Sequence, residues 1–167
     1  MTFIQFYNII KPTLEDLNID KLHKVVMYAC EGIAGVSASQ VEINSKIQFF
    51  DKIDTEDIQE TLIKSAADLI SEEAPNYQYV AGRLINYHLR KMVYGQFEPP
   101  CLCDIVQENI DAGFYDPEFT ELFTKEEINQ LQSYIDHERD EVLTYAAMEQ
   151  FRGKYLVQNR ATGDIFE

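Results

Sequence analysis

Four cationic or titratable nitrogen side chains crowd one short run of an acidic chain. Within "NYQYVAGRLINYHLRKMVYGQFEPP", residues 76–100, stand Arg83, His88, Arg90 and Lys91, whereas the 167-residue sequence carries a formal net charge of -15. Clustered positive charge has an anion to meet, either carboxylates of the same chain or the phosphates of a ligand. His88 and Lys91, three apart, share one helix face, and Arg83 and Arg90, seven apart, share a neighbouring one. A lysine ammonium on its flexible stem suits a polyphosphate, and an imidazole edge reaches a base or a phosphate. Yet cations near a helix C-terminus gain roughly 0.3–1 kcal/mol from the helix dipole with no ligand at all. The 29 Asp and Glu residues also supply local ion-pair partners. Spacing alone leaves both readings open.

Other constellations carry less. Cys101-Leu102-Cys103 lacks the two-residue spacer of a zinc ribbon, and His137-Glu138-Arg139-Asp140 lacks the second histidine of a metalloprotease helix. With three histidines in all and no paired ligand spacing, no metal site is expected. No Gly-rich phosphate loop of the Walker or dinucleotide type occurs. The tyrosines of the 76–94 stretch read as core packing.

The elements that must position these residues are mostly helices. "FIQFYNII" near the start reads as a strand turning at Lys11-Pro12-Thr13. Asn18 or Asp20 caps a first helix with Leu22, Val25, Val26, Ala29 and Cys30 on one face, stopped by Gly32. Ser37 or Ser39 opens a second, through about Phe50. A third follows Asp54 or Thr55, with Ile58, Leu62, Leu69 and Ile70 inward. The fourth, from about Asn76 to Tyr94, ends at Gly95, and Pro99-Pro100 marks a boundary between two units. Helical pieces are expected at about 102–112, 125–135 and 142–151. The end, "KYLVQNRATGDIFE", reads as two short strands, residues 154–159 and 164–167, around a Gly-containing turn.

Composition bounds the class. At 46% hydrophobic the chain can bury one core, or one core plus a small appended unit. No basic leader opens it and no apolar run approaches the roughly 20 residues of a membrane helix. Three cysteines without framework spacing fit a reducing, cytoplasmic compartment. The acidic balance argues against nucleic-acid polymers as partners.

Taken in order, "NIDKLHKVVMYACEG", "ASQVEINSKIQFFD", "DTEDIQETLIKSAADLIS", "APNYQYVAGRLINYHLRKMVYGQFEPP", "DHERDEVLTYAAMEQFRGKYLVQN" and "TGDIFE" resemble the N-terminal region of the class I ribonucleotide reductase large subunit, in its bacterial and T4-like phage branch. The resemblance implies a mainly α fold: an ATP-cone, residues 1–95, built as a helical bundle under a β-hairpin lid. A helical segment, residues 96–167, then leads toward a catalytic barrel; the C-terminal β-hairpin rests on the 154–167 residue pattern alone. It implies ATP or dATP as an allosteric effector and no metal. Carried over position by position, the nucleotide site is Glu15, Asn18, Lys21, Thr55, His88 and Lys91, with Lys11 standing in part for lost hairpin cations. The family's catalytic cysteines lie beyond the matching region, so no catalysis by this chain alone is expected. The partners implied are the remainder of the large subunit, or a split-gene partner supplying it, and the small subunit. The alternative is a stand-alone module that contacts reductase subunits without binding nucleotide.

One stretch departs from the family pattern. Where the hairpin normally carries Val-x-Lys-Arg-Asp-Gly, this chain has Tyr7-Asn8-Ile9-Ile10-Lys11-Pro12. Two cations become isoleucines, and Pro12 replaces a glycine that permits positive φ. If each charge-assisted contact contributes roughly 1.5–3 kcal/mol, the loss weakens the hold on a triphosphate by several kcal/mol.

Overall fold

The computed structural model describes residues 17–166, apart from 47, 50 and 52. The expected N-terminal strand and its turn lie outside the described residues, as do Lys11 and Glu15. Helix α1, Ile19–Cys30, begins where the Asn18 side chain accepts the Lys21 backbone N–H at 3.0 Å. That contact satisfies one of the donors a helix start leaves open. Its face of Leu22, Val25, Val26 and Ala29 is buried as the spacing predicts, and Gly32 follows at φ 70°. Helices α2, Ala38–Lys46, and α3, Thr55–Ala67, pack on one another, and α3 packs along α4, Tyr77–Tyr94. Asp54, not Thr55, caps α3, and Gly95 ends α4 in the left-handed conformation at φ 68°.

The core sits around α4. Val26, Val41, Leu62, Val80, Leu84 and Ile85 are sealed from solvent, each worth roughly 1.5–3 kcal/mol relative to exposure. Tyr77, also buried, anchors the α2 end: its hydroxyl accepts the Ser37 N–H at 2.9 Å and donates to Gln40 Oε1 at 2.5 Å. Beyond Pro99-Pro100 come α5, Leu102–Asp111, the short α6, Glu118–Leu122, and α7, Lys125–Gln132, which packs on α5. The chain then returns to α4 through a 3-10 turn, His137–Val142, and α8, Tyr145–Gln150. Met148 of α8 joins the same buried cluster as Leu84 and Ile85.

Gly82 explains how closely that return is held. A Cβ built there would stand 2.1 Å from the Leu143 carbonyl oxygen, so only a residue without one lets the backbone lie on α4.

Several expectations need correction. The C-terminal β-hairpin does not form as a pair of strands. Helix α8 runs on as a π-helical turn, Phe151–Tyr155, whose Phe151 carbonyl accepts the Leu156 N–H. That turn consumes the first residues of the expected strand. What remains is one antiparallel bridge, Gln158 to Ile165, flanked by Asn159 N–H to Asp164 O and Phe166 N–H to Val157 O, both at 2.8 Å. No strand occurs among the described residues. Helix α2 stops at Lys46 rather than near Phe50, and α3 stops at Ala67, which leaves Ile70 exposed instead of inward. Helix α8 starts at Tyr145 rather than about 142, because Leu143 is extended and the Thr144 side chain supplies the cap.

Candidate functional site

The four residues that opened the sequence reading separate into three environments. Arg83 and Arg90, one face of α4, both meet the 3-10 turn. Arg83 donates from Nη1 to the Glu31 carbonyl at 2.6 Å and from Nε to the Glu141 carbonyl at 3.2 Å, with Nη2 3.5 Å from Glu141 Oε2. Arg90 donates to Asp140 Oδ2 at 3.0 Å and lies 5.1 Å over the Phe97 ring. Glu141 also accepts the Tyr28 hydroxyl at 3.3 Å, and burial with that carboxylate nearby pushes the phenol up to about 12. Adjacent acids thus tie α4 and α1 to the returning chain. For these two arginines the anion is carboxylate.

His88 faces another way. It is 4% exposed, and its Nε2 lies 3.5 Å from Glu60 Oε1 of α3. The same oxygen takes an ion pair from Arg152, whose other terminal nitrogen reaches Glu149 Oε1 at 2.8 Å. Burial lowers the His88 pKa below its ordinary 6.5 despite Glu60 and Glu56, which act to raise it. The ring is therefore neutral at pH 7. Lys91, next along the helix, is exposed and makes no ion pair among the described residues.

The remaining candidates sit at helix starts. Asn18 caps α1, with Lys21 exposed one turn in, and Thr55 is the exposed first residue of α3. The Asn18 to Lys21 contact is the one hydrogen bond between two of these candidates among the described residues.

Residues 11–92 match the ATP cone domain family. The chain carries an ATP cone. It is also 56% identical over 153 residues to ribonucleoside-diphosphate reductase 1 subunit alpha of Escherichia coli strain K12, covering 92% of this chain and 20% of that protein. Against the reductase subunit alpha of Haemophilus influenzae the identity is 51%, over 93% of this chain and 20% of the relative. Against that of enterobacteria phage T4 it is 42%, over 98% of this chain and 22% of the relative. The chain is homologous to the N-terminal region of these alpha subunits and spans about a fifth of their length.

Sequence reasoning missed what links the cone to the segment after it. Glu60, Arg152 and Glu149 form one charged cluster from residues 92 positions apart at the extreme, and only an (i, i+3) spacing between Glu149 and Arg152 hinted at it. A cavity of about 220 Å³ opens between α4 and the returning chain, lined by Asn86, Leu89, Arg90, His137, Phe151 and neighbours. It contains none of the candidate nucleotide residues of the cone. The Asn86 amide nitrogen is buried with no hydrogen-bond partner among the described residues. Cys101 Sγ, Cys103 Sγ and an Asp104 oxygen lie within 4.8 Å of one another. Two thiols and an exposed carboxylate fall short of the four ligands a structural zinc site uses. No described helix is long and apolar enough to cross a membrane.

Proposed function

We propose that this chain is the N-terminal regulatory region of a ribonucleoside-diphosphate reductase large subunit, acting in cytoplasmic deoxyribonucleotide synthesis. Residues 1–95 form the cone and 96–167 the helical segment that leads toward the catalytic barrel. The observation that carries this reading is 56% identity to the Escherichia coli subunit across 92% of the chain. The effector is ATP or dATP. Lys21 and Lys91, both exposed, offset triphosphate charge, Lys11 stands in part for the cations lost from the family pattern, and Glu15, Asn18, Thr55 and His88 contribute polar contacts. A neutral His88 serves as a hydrogen-bonding partner rather than as a cation. The departure of residues 7–12 from the family's Val-x-Lys-Arg-Asp-Gly pattern leaves the affinity low. The partners are the rest of the large subunit, in the same or a separate polypeptide, and the small subunit.

A second reading is favoured by two observations: Asn18 already caps α1, and His88 already faces Glu60. Both are occupied structurally, which suits a cone that contacts reductase subunits without nucleotide. Calorimetry of ATP and dATP binding to the chain and to Lys91→Ala separates the two. Measurable binding weaker than micromolar, lost in Lys91→Ala, supports the effector reading. No heat at saturating nucleotide supports the second. Turnover of a ribonucleoside diphosphate by the pure chain would overturn both.

A further inference from the structure

Cys101 and Cys103 stand two residues apart at the start of α5, a spacing that in a regular helix would turn their side chains about 200° away from each other. They are not turned away. Cys101 is the N-cap, with φ -58° and ψ 134°, outside the helical region, and this swings its thiol back over the first turn. The two Sγ atoms come to 3.0 Å. A disulfide needs about 2.05 Å, so roughly 1 Å of sulfur movement separates the pair from a bond.

The surroundings hold the first turn in this form. Cys101 Sγ donates to Asn129 Oδ1 of α7 at 3.3 Å, and the Leu102 N–H donates to Gln132 Oε1 at 3.0 Å. Both thiols are partly exposed and so open to a small reagent. Cys30 offers the contrast inside the same chain: it sits against the core cluster, and burial pushes its thiol up to about 11.

We propose that Cys101 and Cys103 form a thiol–disulfide site, closed to an intramolecular disulfide by low-molecular-weight disulfides and reopened by thiols. In the first step the Cys101 thiol gives its proton to solvent and its thiolate attacks one sulfur of the small disulfide. A mixed disulfide forms on Cys101 and one small thiolate leaves, taking up a proton. Cys103 then loses its proton and attacks Cys101 Sγ, which expels the second small thiolate. Two protein thiols are oxidised by two electrons and one small disulfide is reduced to two thiols.

The order of attack follows from the contacts. The contact with Cys103 favours the Cys101 thiolate and lowers its pKa, whereas the same contact, desolvation and the neighbouring Asp104 charge push Cys103 up to about 11. Cys101 is thus the attacking thiol and Cys103 the resolving one.

Glutathione disulfide, added to the full chain under native conditions and followed by intact mass and thiol titration, tests this. The expected product has lost two hydrogens, retains one titratable thiol at Cys30, and carries its disulfide within one peptide spanning residues 101–103. Cys103→Ser should stop at a stable glutathione adduct on Cys101. Cys101→Ser should likewise fail to close, leaving its glutathione adduct on Cys103. Wild-type protein that keeps all three thiols, accumulates glutathione adducts without closing, or forms only intermolecular disulfides would overturn the proposal. Near-UV circular dichroism of each variant before oxidation confirms that the fold compared is the same.

Discussion

The backbone of Leu143 rests directly on Gly82: a Cβ on Gly82 would stand 2.1 Å from the Leu143 oxygen and 3.1 Å from its carbonyl carbon. This contact sets the depth at which the 3-10 turn and α8 lie on α4. It also places Asp140 and Glu141 within reach of Arg90 and Arg83. A residue that sequence alone marks as a helix weakness, since glycine costs about 1 kcal/mol against alanine, is here the condition for docking.

Gly82→Ala should therefore destabilise the chain although it improves helix propensity. The upper part of the roughly 1–3 kcal/mol range for overpacking, about 2–3 kcal/mol, applies because the obstacle is backbone rather than a movable side chain, and it exceeds the roughly 1 kcal/mol gained. Urea denaturation should show a net loss of about 1–2 kcal/mol. A stability equal to or above the wild type would mean that the returning chain does not lie on α4 in this way.

His88 gives stability a pH dependence whose sign is fixed by its burial. Its folded pKa lies below the unfolded 6.5, so the unfolded chain binds the extra proton first as pH falls. The contribution is complete above pH 6.5 and is lost as pH falls from there through the folded pKa. His88→Gln should flatten the loss of melting temperature between pH 7 and the acid side of 6.5. An unchanged slope would locate the pH dependence in other groups.

Much of the helical frame was legible because it rests on local rules. The apolar face of α1, an α3 cap at Asp54 or its neighbour Thr55, and the Gly95 stop follow from spacing and from side chains that satisfy nearby backbone groups. The direction of the α4 cations was legible only in part. That Arg83 and Arg90 share a face followed from their separation, but that the face meets Glu141 and Asp140 depends on a return from 50 or more residues away. The C-terminal strands were not legible, since "KYLVQN" has β-rich composition, whereas Thr144 starts a helix whose continuation takes in Lys154 and Tyr155.

Adjacent cations on α4 should answer substitution differently. Arg90 is 9% exposed, bonds Asp140 and covers Phe97. Arg90→Ala should cost about 1–2 kcal/mol, the upper part arising from lost packing rather than charge, because Asp140 is itself substantially exposed. Lys91 is exposed, and Lys91→Ala should stay within about 0.5 kcal/mol of wild type. Thermal melts of the two variants decide the matter, and equal effects would contradict the separation of their environments.

Asn86 presents the reverse case, a buried polar group whose removal should help. Its amide nitrogen has no partner among the described residues, while Leu89, Met148, Phe151 and Leu156 line the cavity beside it. A buried amide donor without a hydrogen bond costs about 1–3 kcal/mol, and leucine is also the better helix former. Leucine nearly matches asparagine in length, so the site needs little rearrangement to accept it. Asn86→Leu should raise stability by about 1–2 kcal/mol in urea denaturation and leave the far-UV circular dichroism unchanged. A loss of stability would show that the amide has a partner in the folded chain, and that the cavity beside α4 is built around a polar contact.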